Sequence, residues 1–364
     1  MLTQPRETAL YKTHVGLGAK MSPFGGFLMP IVYSSILDEH DAVRTAVGMF
    51  DLSHMGQFIA TGDGVAAWLD RLTANDVATM RPNQARYNIF TNPAGGAHDD
   101  VIIYRLDGRW LVVVNAANTA KIWELLSGSK PVDVKLDDRT PRSALIALQG
   151  PKAVALLQTM SDLDLSTVRY YYAADAKVSG VAAEIARTGY TGEDGFEVFI
   201  PAEKATELWD RFLTDGRQFG LRPAGLGARD VLRLEAGMPL YGHELDENIS
   251  PLQASLNWVV KFDKEFTGKA ALQAQRAEDT YDRIAGLVME GKAPARAGYP
   301  VLRDGTPVGE IRSGSPAPAL GGKNIATALV RKDAAAAGTP LAVQIRGTAH
   351  PAVTVEMPFY KRKK

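Results

Sequence analysis

The sequence contains no cysteine in 364 residues. That absence removes disulfides, thiolate nucleophiles, iron–sulfur clusters and thiolate zinc sites from consideration. Net charge is missing as well. The 41 Lys and Arg are balanced by 41 Asp and Glu, so the basic excess that nucleic-acid or membrane-surface binding normally leaves is not there. No apolar run reaches the roughly 18 residues that a membrane-spanning helix needs. Met1 to Pro30 holds no apolar stretch of signal-peptide length. With 46% hydrophobic and 23% charged residues, the composition is that of an ordinary globular protein. The expectation is a cytoplasmic protein that binds neither nucleic acid nor membrane. At roughly 100–200 residues per domain, it has two or three domains.

Familiar chemical motifs are also lacking. Gly16-Leu17-Gly18-Ala19-Lys20-Met21 starts like a dinucleotide fingerprint, but Met21 stands at the third glycine and no strand precedes it. Gly286 to Ala293 approaches a phosphate-binding loop, yet Ala293 cannot hold Mg²⁺ and Pro294 follows it. The six histidines form no HxH or HExxH pair. His98, Asp99 and Asp100, adjacent on a strand, would point to alternating faces, so no metal site is expected. There is no Gly-x-Ser-x-Gly elbow for a serine hydrolase.

What is present is a mixture of helix and strand periods. Gln57–Ala60, Val101–Tyr104 and Trp110–Val114 read as strands, the last two joined through Asp107-Gly108. Asn118 is placed to cap a helix over Lys121–Leu126, and Ser143–Gln149 reads as a strand before a helix over Lys152–Met160. Ala205, Leu208, Trp209 and Phe212 form one stripe of an amphipathic helix, and a second helix covers about Ala228–Ala236. The first fifty residues are broken by Gly16, Gly18, Gly25, Gly26 and Pro30, and the stretch Arg276–Asp282 is polar. From Ile284 the chain becomes short strands separated by Gly, Pro and Asp-Gly turns, a small all-β terminal domain. Strands and helices interleave without a βαβ rhythm, so the fold class is α+β.

Three segments are too polar and glycine-rich to be packing alone. Gly95 to Asp100 places two carboxylates before an apolar strand. They are either turn and cap residues, or a pair on opposite strand faces with one aimed into a cleft. Arg187 to Glu197 carries glycines at three-residue steps, a loop whose backbone can approach a planar ligand. Glu197 enters the next strand either on a solvated face or as a fixed acceptor for a donor pair. Arg222 to Gly237 sets Arg229 near the first turn of a helix, where a cation opposes the macrodipole. Either Asp230 or Glu235 compensates it, or an anion docks there. The basic end, Tyr360 to Lys364, is either merely solvated or steers an acidic partner.

These segments, together with Phe50-Asp51-Leu52-Ser53-His54-Met55 and Leu240-Tyr241-Gly242-His243-Glu244-Leu245-Asp246-Glu247-Asn248, resemble the aminomethyltransferase, or T-protein, family of the glycine cleavage system. The resemblance runs from about Thr8 to Tyr360. It implies a three-lobed, ring-like fold. A folate-binding domain would cover 1–280, its lobes being about 1–55 with 140–280, and 56–139; a β-barrel domain would cover 281–364. It implies Asp100 as the catalytic carboxylate. Folate contacts fall on Tyr87, Asn115, Glu197 and Arg229, with Met55, Tyr190, Tyr241 and Trp258 near the same pocket. The sequence departs from the family pattern at Ala97-His98, at Phe27 where many members have Trp, and at Arg312 and Ala317.

The activity so implied is transfer of the methylene of an aminomethyl group, carried on the dihydrolipoyl arm of H-protein, to tetrahydrofolate. Ammonia is released and 5,10-methylenetetrahydrofolate forms. The partners are lipoylated H-protein and tetrahydrofolate as acceptor substrate, with no metal, and the protein is expected to act as a monomer. Two other classes share the scaffold: a folate-dependent demethylase of a small methyl donor, and a non-catalytic folate-binding assembly factor. A non-catalytic relative would be expected to lose the carboxylate that stands here as Asp100.

Overall fold

The computed structural model describes residues 4–362. The chain opens with β1 (Arg6–Glu7), α1 (Tyr11–Gly16), β2 (Lys20–Phe24), β3 (Phe27–Val32) and α2 (Ile36–Thr45). It continues with β4 (Val47–Asp51), β5 (Gly56–Thr61), α3 (Val65–Leu72), β6 (Ala85–Thr91), β7 (Ala97–Leu106), β8 (Arg109–Val114) and α4 (Thr119–Ser129). Next come β9 (Lys135–Asp138), β10 (Ser143–Gln149), α5 (Ala153–Gln158), β11 (Ala173–Val178), β12 (Val181–Ala186) and β13 (Gly195–Pro201). After these lie α6 (Ala205–Asp215), β14 (Leu221–Pro223), α7 (Leu226–Glu235) and α8 (Lys269–Glu278). The last strands are β15 (Arg283–Met289), β16 (Pro300–Arg303), β17 (Thr306–Ala317), β18 (Lys323–Val330), β19 (Pro340–Ile345) and β20 (Thr348–Val355). Two compact units result. One comprises the chain up to Leu69, Val77–Tyr87 and Val101–Asp230; the other comprises Asp70–Asp76, Asn88–Asp100 and the chain from Val231.

In the first unit a six-stranded sheet runs in the order β11-β12-β13-β10-β4-β14. Strand β10 pairs antiparallel with both β13 and β4, so that Ala147 faces Glu197 on one side and Phe50 on the other. Strands covered on both faces carry apolar runs rather than alternation, and β10 is buried at all seven positions. The stripe Ala205, Leu208, Trp209 and Phe212 of α6 packs into the same core as Met49, Ile146, Leu148, Phe196 and Val198. Each large apolar side chain buried there contributes about 1.5–3 kcal/mol. A five-stranded sheet has the order β6-β7-β8-β5-β9. Its β7–β8 turn is the expected Asp107-Gly108, with Leu106 opposite Arg109 and Gly108 at φ 65°.

In the second unit β15-β18-β17-β16-β19-β20 close into a barrel. Asp304 and Gly305, at φ 50° and 80°, make the two-residue turn between β16 and β17, the geometry that an Asp-Gly pair favours. Leu287, Val301, Ile311, Val330 and Val343 fill the barrel. The end of α7 docks on it through Leu234 against Ala317 and Ile325. Helix α8 seats Leu272 among Ala74, Leu252, Val260 and Phe266.

Several elements differ from the sequence reading. The glycine- and proline-broken first fifty residues form a three-stranded sheet, order β1-β3-β2, and two helices. The helix α2 buries Glu39 and His40 and so carries no clean apolar stripe; Ser35 caps it by accepting the Asp38 N–H at 3.0 Å. Helix α8 runs into the polar stretch because Leu272 is its one buried side chain. Asn118 occupies the N-cap of α4 but makes no capping hydrogen bond through its side chain. Among the described residues no helix is long and apolar enough to cross a membrane. Of the basic end, Lys363 and Lys364 lie outside the described residues.

Candidate functional site

The loop between β12 and β13 is held from below by one side chain. Gln149 donates from Nε2 to the Thr188 carbonyl at 3.0 Å and accepts the Thr191 hydroxyl on Oε1 at 2.8 Å. Gly189 makes room for it, since a Cβ there would lie 2.0 Å from Gln149 Oε1. Arg44 donates to the Thr191 carbonyl at 2.7 Å and to Glu193 at 2.9 Å. Arg187 grips Asp194 with two parallel bonds of 3.0 and 2.6 Å, the bidentate pairing that adds geometric definition to charge. The loop is therefore a rigid frame rather than a mobile cover.

Glu197 emerges from that frame as the third residue of β13, only 7% exposed. That burial excludes a solvated face, one of its two sequence readings. Thr188 and Tyr104 both donate hydroxyl hydrogens to Oε2. Oε1 has no hydrogen-bond partner among the described residues. Burial, with the Glu197 charge beside it, pushes the Tyr104 phenol well above its ordinary range, so it remains a donor.

Arg229, the fourth residue of α7, lies part-buried with its guanidinium 4.6 Å from the centroid of the Tyr190 ring. Burial pulls its pKa down, while Tyr190 and Glu197 work in the opposite direction. Compensation by an ion pair to Asp230 or Glu235, one of its two sequence readings, does not form among the described residues. The arrangement presents a cation stacked on an aromatic ring within electrostatic reach of a buried carboxylate.

Sequence reasoning passed over His54, which it weighed only as a metal ligand. The preceding Asp51 accepts the Thr8 hydroxyl at 2.8 Å, His14 Nε2 at 2.9 Å and the Ser53 N–H at 2.8 Å. Burial alone would raise its pKa, but His14 and Ser53 outweigh that and hold it below the usual carboxylate value. Tyr33 closes the chain with its hydroxyl 2.8 Å from His14 Nδ1. The segment that follows is thereby fixed, and it buries His54 to 2% exposure with its ring edge-on to Phe24. Burial lowers His54 to about 4, Asp51 opposing and Arg229 adding to the shift. Its Nδ1 has no hydrogen-bond partner. The signal that marks it in sequence is its place between Asp51 and Met55 in the Phe50–Met55 motif.

Met55, Tyr87 and Asn115 are each part-buried and belong to the same unit as Glu197 and Arg229. Asp100, Tyr241 and Trp258 belong to the second unit. Strand β7 begins at Ala97 rather than at Val101, so Asp99 and Asp100 lie inside it and are not turn residues. Asp99 is fully buried in line with Ala97, Val101 and Ile103; Asp100 is part-buried on the alternate face with His98 and Ile102. The Tyr241 hydroxyl donates to the Ala97 carbonyl at 3.2 Å. Trp258 is 59% exposed. No group of three His, Asp or Glu side chains placed to hold a metal occurs among the described residues.

The family model described as the GCVT N-terminal domain matches residues 10–264, and that of the glycine cleavage T-protein C-terminal barrel domain matches residues 283–361. The chain is 46% identical over 363 residues to an aminomethyltransferase of Geobacillus kaustophilus, covering 99% of this chain and all of that one. It is 48% identical over 360 residues to an aminomethyltransferase of Thermus thermophilus, covering 98% of this chain and all of that one. The crystal structure of glycine cleavage system aminomethyltransferase T from Bartonella henselae superimposes with a TM-score of 0.91 at 31% identity, covering 98% of each chain. With both domains matched and relatives of nearly half identity aligned end to end, the chain belongs to the glycine cleavage T-protein, or aminomethyltransferase, family.

Proposed function

We propose that Asp100, Glu197 and Arg229 carry the aminomethyl transfer for which the family is named. The reaction takes R–S–CH₂–NH₃⁺ on the lipoyl arm of H-protein and tetrahydrofolate to the free thiol, ammonium and 5,10-methylenetetrahydrofolate. One new carbon–nitrogen bond forms to N5 and one to N10 as the carbon–sulfur and original carbon–nitrogen bonds break. The end-to-end identity to aminomethyltransferases of two genera supports the reaction. A single observation supports the assignment of Glu197: it is buried with Tyr104 and Thr188 on Oε2 while Oε1 takes no protein donor.

That free acceptor position suits the paired donors of an aminopyrimidinone edge. Arg229, stacked on Tyr190, suits the ring system or carboxylate of the same ligand. Met55, Tyr87 and Asn115, part-buried in the same unit as Glu197 and Arg229, are assigned to contact the same ligand. Losing ammonia leaves a methylene carbon with iminium character. The part-buried carboxylate of Asp100 is assigned to stabilise the developing positive charge and orient the nucleophile. The buried frame around Glu197 holds the acceptor, so that positioning rather than covalent chemistry is the protein's contribution. We further infer a cytoplasmic monomer, which gel filtration checks by eluting at the size of one chain. Mixing the protein with aminomethyl-loaded H-protein and tetrahydrofolate tests the reaction: methylenetetrahydrofolate and ammonia appear together in equal amounts. Folate binding without either product overturns it.

A further inference from the structure

The peptide of Ala97, where β7 begins, is held from both sides by one segment. Its N–H donates to the carbonyls of Asp246 at 2.9 Å and Ile249 at 3.2 Å, and its C=O accepts the Tyr241 hydroxyl at 3.2 Å. Close by, Asn92 donates from Nδ2 to the Glu247 carbonyl at 2.9 Å. Gly96 lies so near that a Cβ would stand 1.9 Å from that carbonyl. The start of β7 is thus seated in the 241–249 loop through main-chain contacts that tolerate no side chain at Gly96 and no shift of register.

The loop is bolted to the barrel in turn. Arg312 of β17 donates from Nη2 to Asp246 at 3.0 Å and from Nε to the His243 carbonyl at 2.5 Å, and the Arg312 carbonyl lies 2.8 Å from His243 Nδ1. Below it, Glu244 accepts the Leu240 N–H at 2.9 Å and pairs with Arg233 at 2.9 Å, both side chains being nearly fully buried. Arg233 reaches Ser313 at 2.8 Å, and Thr327 donates to Glu244. A buried pair satisfied on this many sides fixes geometry more than it adds stability.

We propose that the 241–249 loop is a brace that positions Asp100 from the barrel, with Tyr241 and Arg312 as positioning residues. Asp100 lies three residues along β7 from Ala97, whose two peptide groups the brace holds. Tyr241 then acts on the reaction through the strand that carries the carboxylate, not by touching the pterin. This rests on the catalytic reading of Asp100. The link to the barrel gives the terminal domain a part in setting the reacting geometry, and Arg312, a departure from the family pattern, is one of the side chains that make it, beside Thr327.

Tyr241→Phe removes the hydroxyl and keeps the ring, so the fold is retained. The expected result is a fall in kcat of about fivefold, the scale of one net hydrogen bond, with KM for tetrahydrofolate within twofold of the parent. Arg312→Ala is expected to lower the same parameter. Both effects should shrink below twofold in an Asp100→Asn background, because residues acting through one group do not add. Hydrogen exchange of the segment 92–100 should speed up in both variants. A raised KM with unchanged kcat in Tyr241→Phe, or full additivity with Asp100→Asn, overturns the brace. Wild-type rates in Asp100→Asn alone overturn instead the role of Asp100, so the two failures are distinguishable.

Discussion

The guanidinium of Arg229 lies over the ring of Tyr190 at 4.6 Å from its centroid. The ring belongs to a loop locked by Gln149, Arg44 and Asp194, and the cation to the first turns of α7, so the stack joins two rigid elements. Lysine carries the charge without the plane. Arg229→Lys should weaken tetrahydrofolate binding about tenfold, and Tyr190→Leu by a similar factor, whereas Tyr190→Phe keeps the face and should bind within twofold. Isothermal calorimetry checks the series; equal affinity in all three variants removes the stack from the ligand site.

Glu197→Gln keeps an acceptor for Thr188 and Tyr104 but turns one carboxylate oxygen into an amide donor. Folate affinity should fall by about 2–4 kcal/mol. The melting temperature should change little, since the hydroxyl contacts on the remaining oxygen persist. Unchanged affinity in calorimetry would mean that the open oxygen faces no ligand donor.

His54 provides a pH signature for stability. Its pKa is about 4 in the folded chain against an ordinary 6.5. Below pH 6.5 the unfolded chain takes up a proton that the folded chain refuses, so stability falls as pH drops and levels off near pH 4. Between pH 7.5 and pH 5 the loss is about 2 kcal/mol, at about 1.36 kcal/mol for each step of one in pH below 6.5. Asp51 is depressed, so its contribution stands above the unfolded carboxylate value and is lost only at lower pH, outside this window. Urea unfolding at both pH values should show the slope in the parent and a flatter one in His54→Gln. Identical slopes would contradict a neutral buried imidazole.

Gly189→Ala should disturb the loop frame, because its Cβ would collide with Gln149 Oε1 at 2.0 Å. Displacing Gln149 costs its bonds to Thr188 and Thr191, and about 1–3 kcal/mol of stability. Thermal unfolding measures this. The companion Gln149→Ala/Gly189→Ala should recover part of the clash while leaving the loop loose.

Elements whose burial is one-sided were readable in the sequence. The stripe of α6, the Asp107-Gly108 and Asp304-Gly305 turns and the barrel strands follow from period and turn chemistry alone. The helices α2 and α8 were not, since the first buries Glu39 and His40 and the second only Leu272. At the site, the loop glycines and Glu197 stood out because a carboxylate amid Phe196, Val198 and Phe199 demands a partner. That Tyr104 would be that partner was hidden by a separation of 93 positions along the chain. His54 was passed over because, without a spaced companion, only its place in the Phe50–Met55 motif marks it.

The central claim is that Asp100, not its buried neighbour Asp99, meets the reacting methylene. Rapid-quench single turnover with aminomethyl-loaded H-protein and saturating tetrahydrofolate tests it most directly, comparing the parent with Asp100→Asn and Asp99→Asn. The account predicts that Asp100→Asn binds folate normally and forms methylenetetrahydrofolate about 10²-fold more slowly or worse, while Asp99→Asn is much milder. A parent-like rate in Asp100→Asn, or a greater loss in Asp99→Asn, contradicts it.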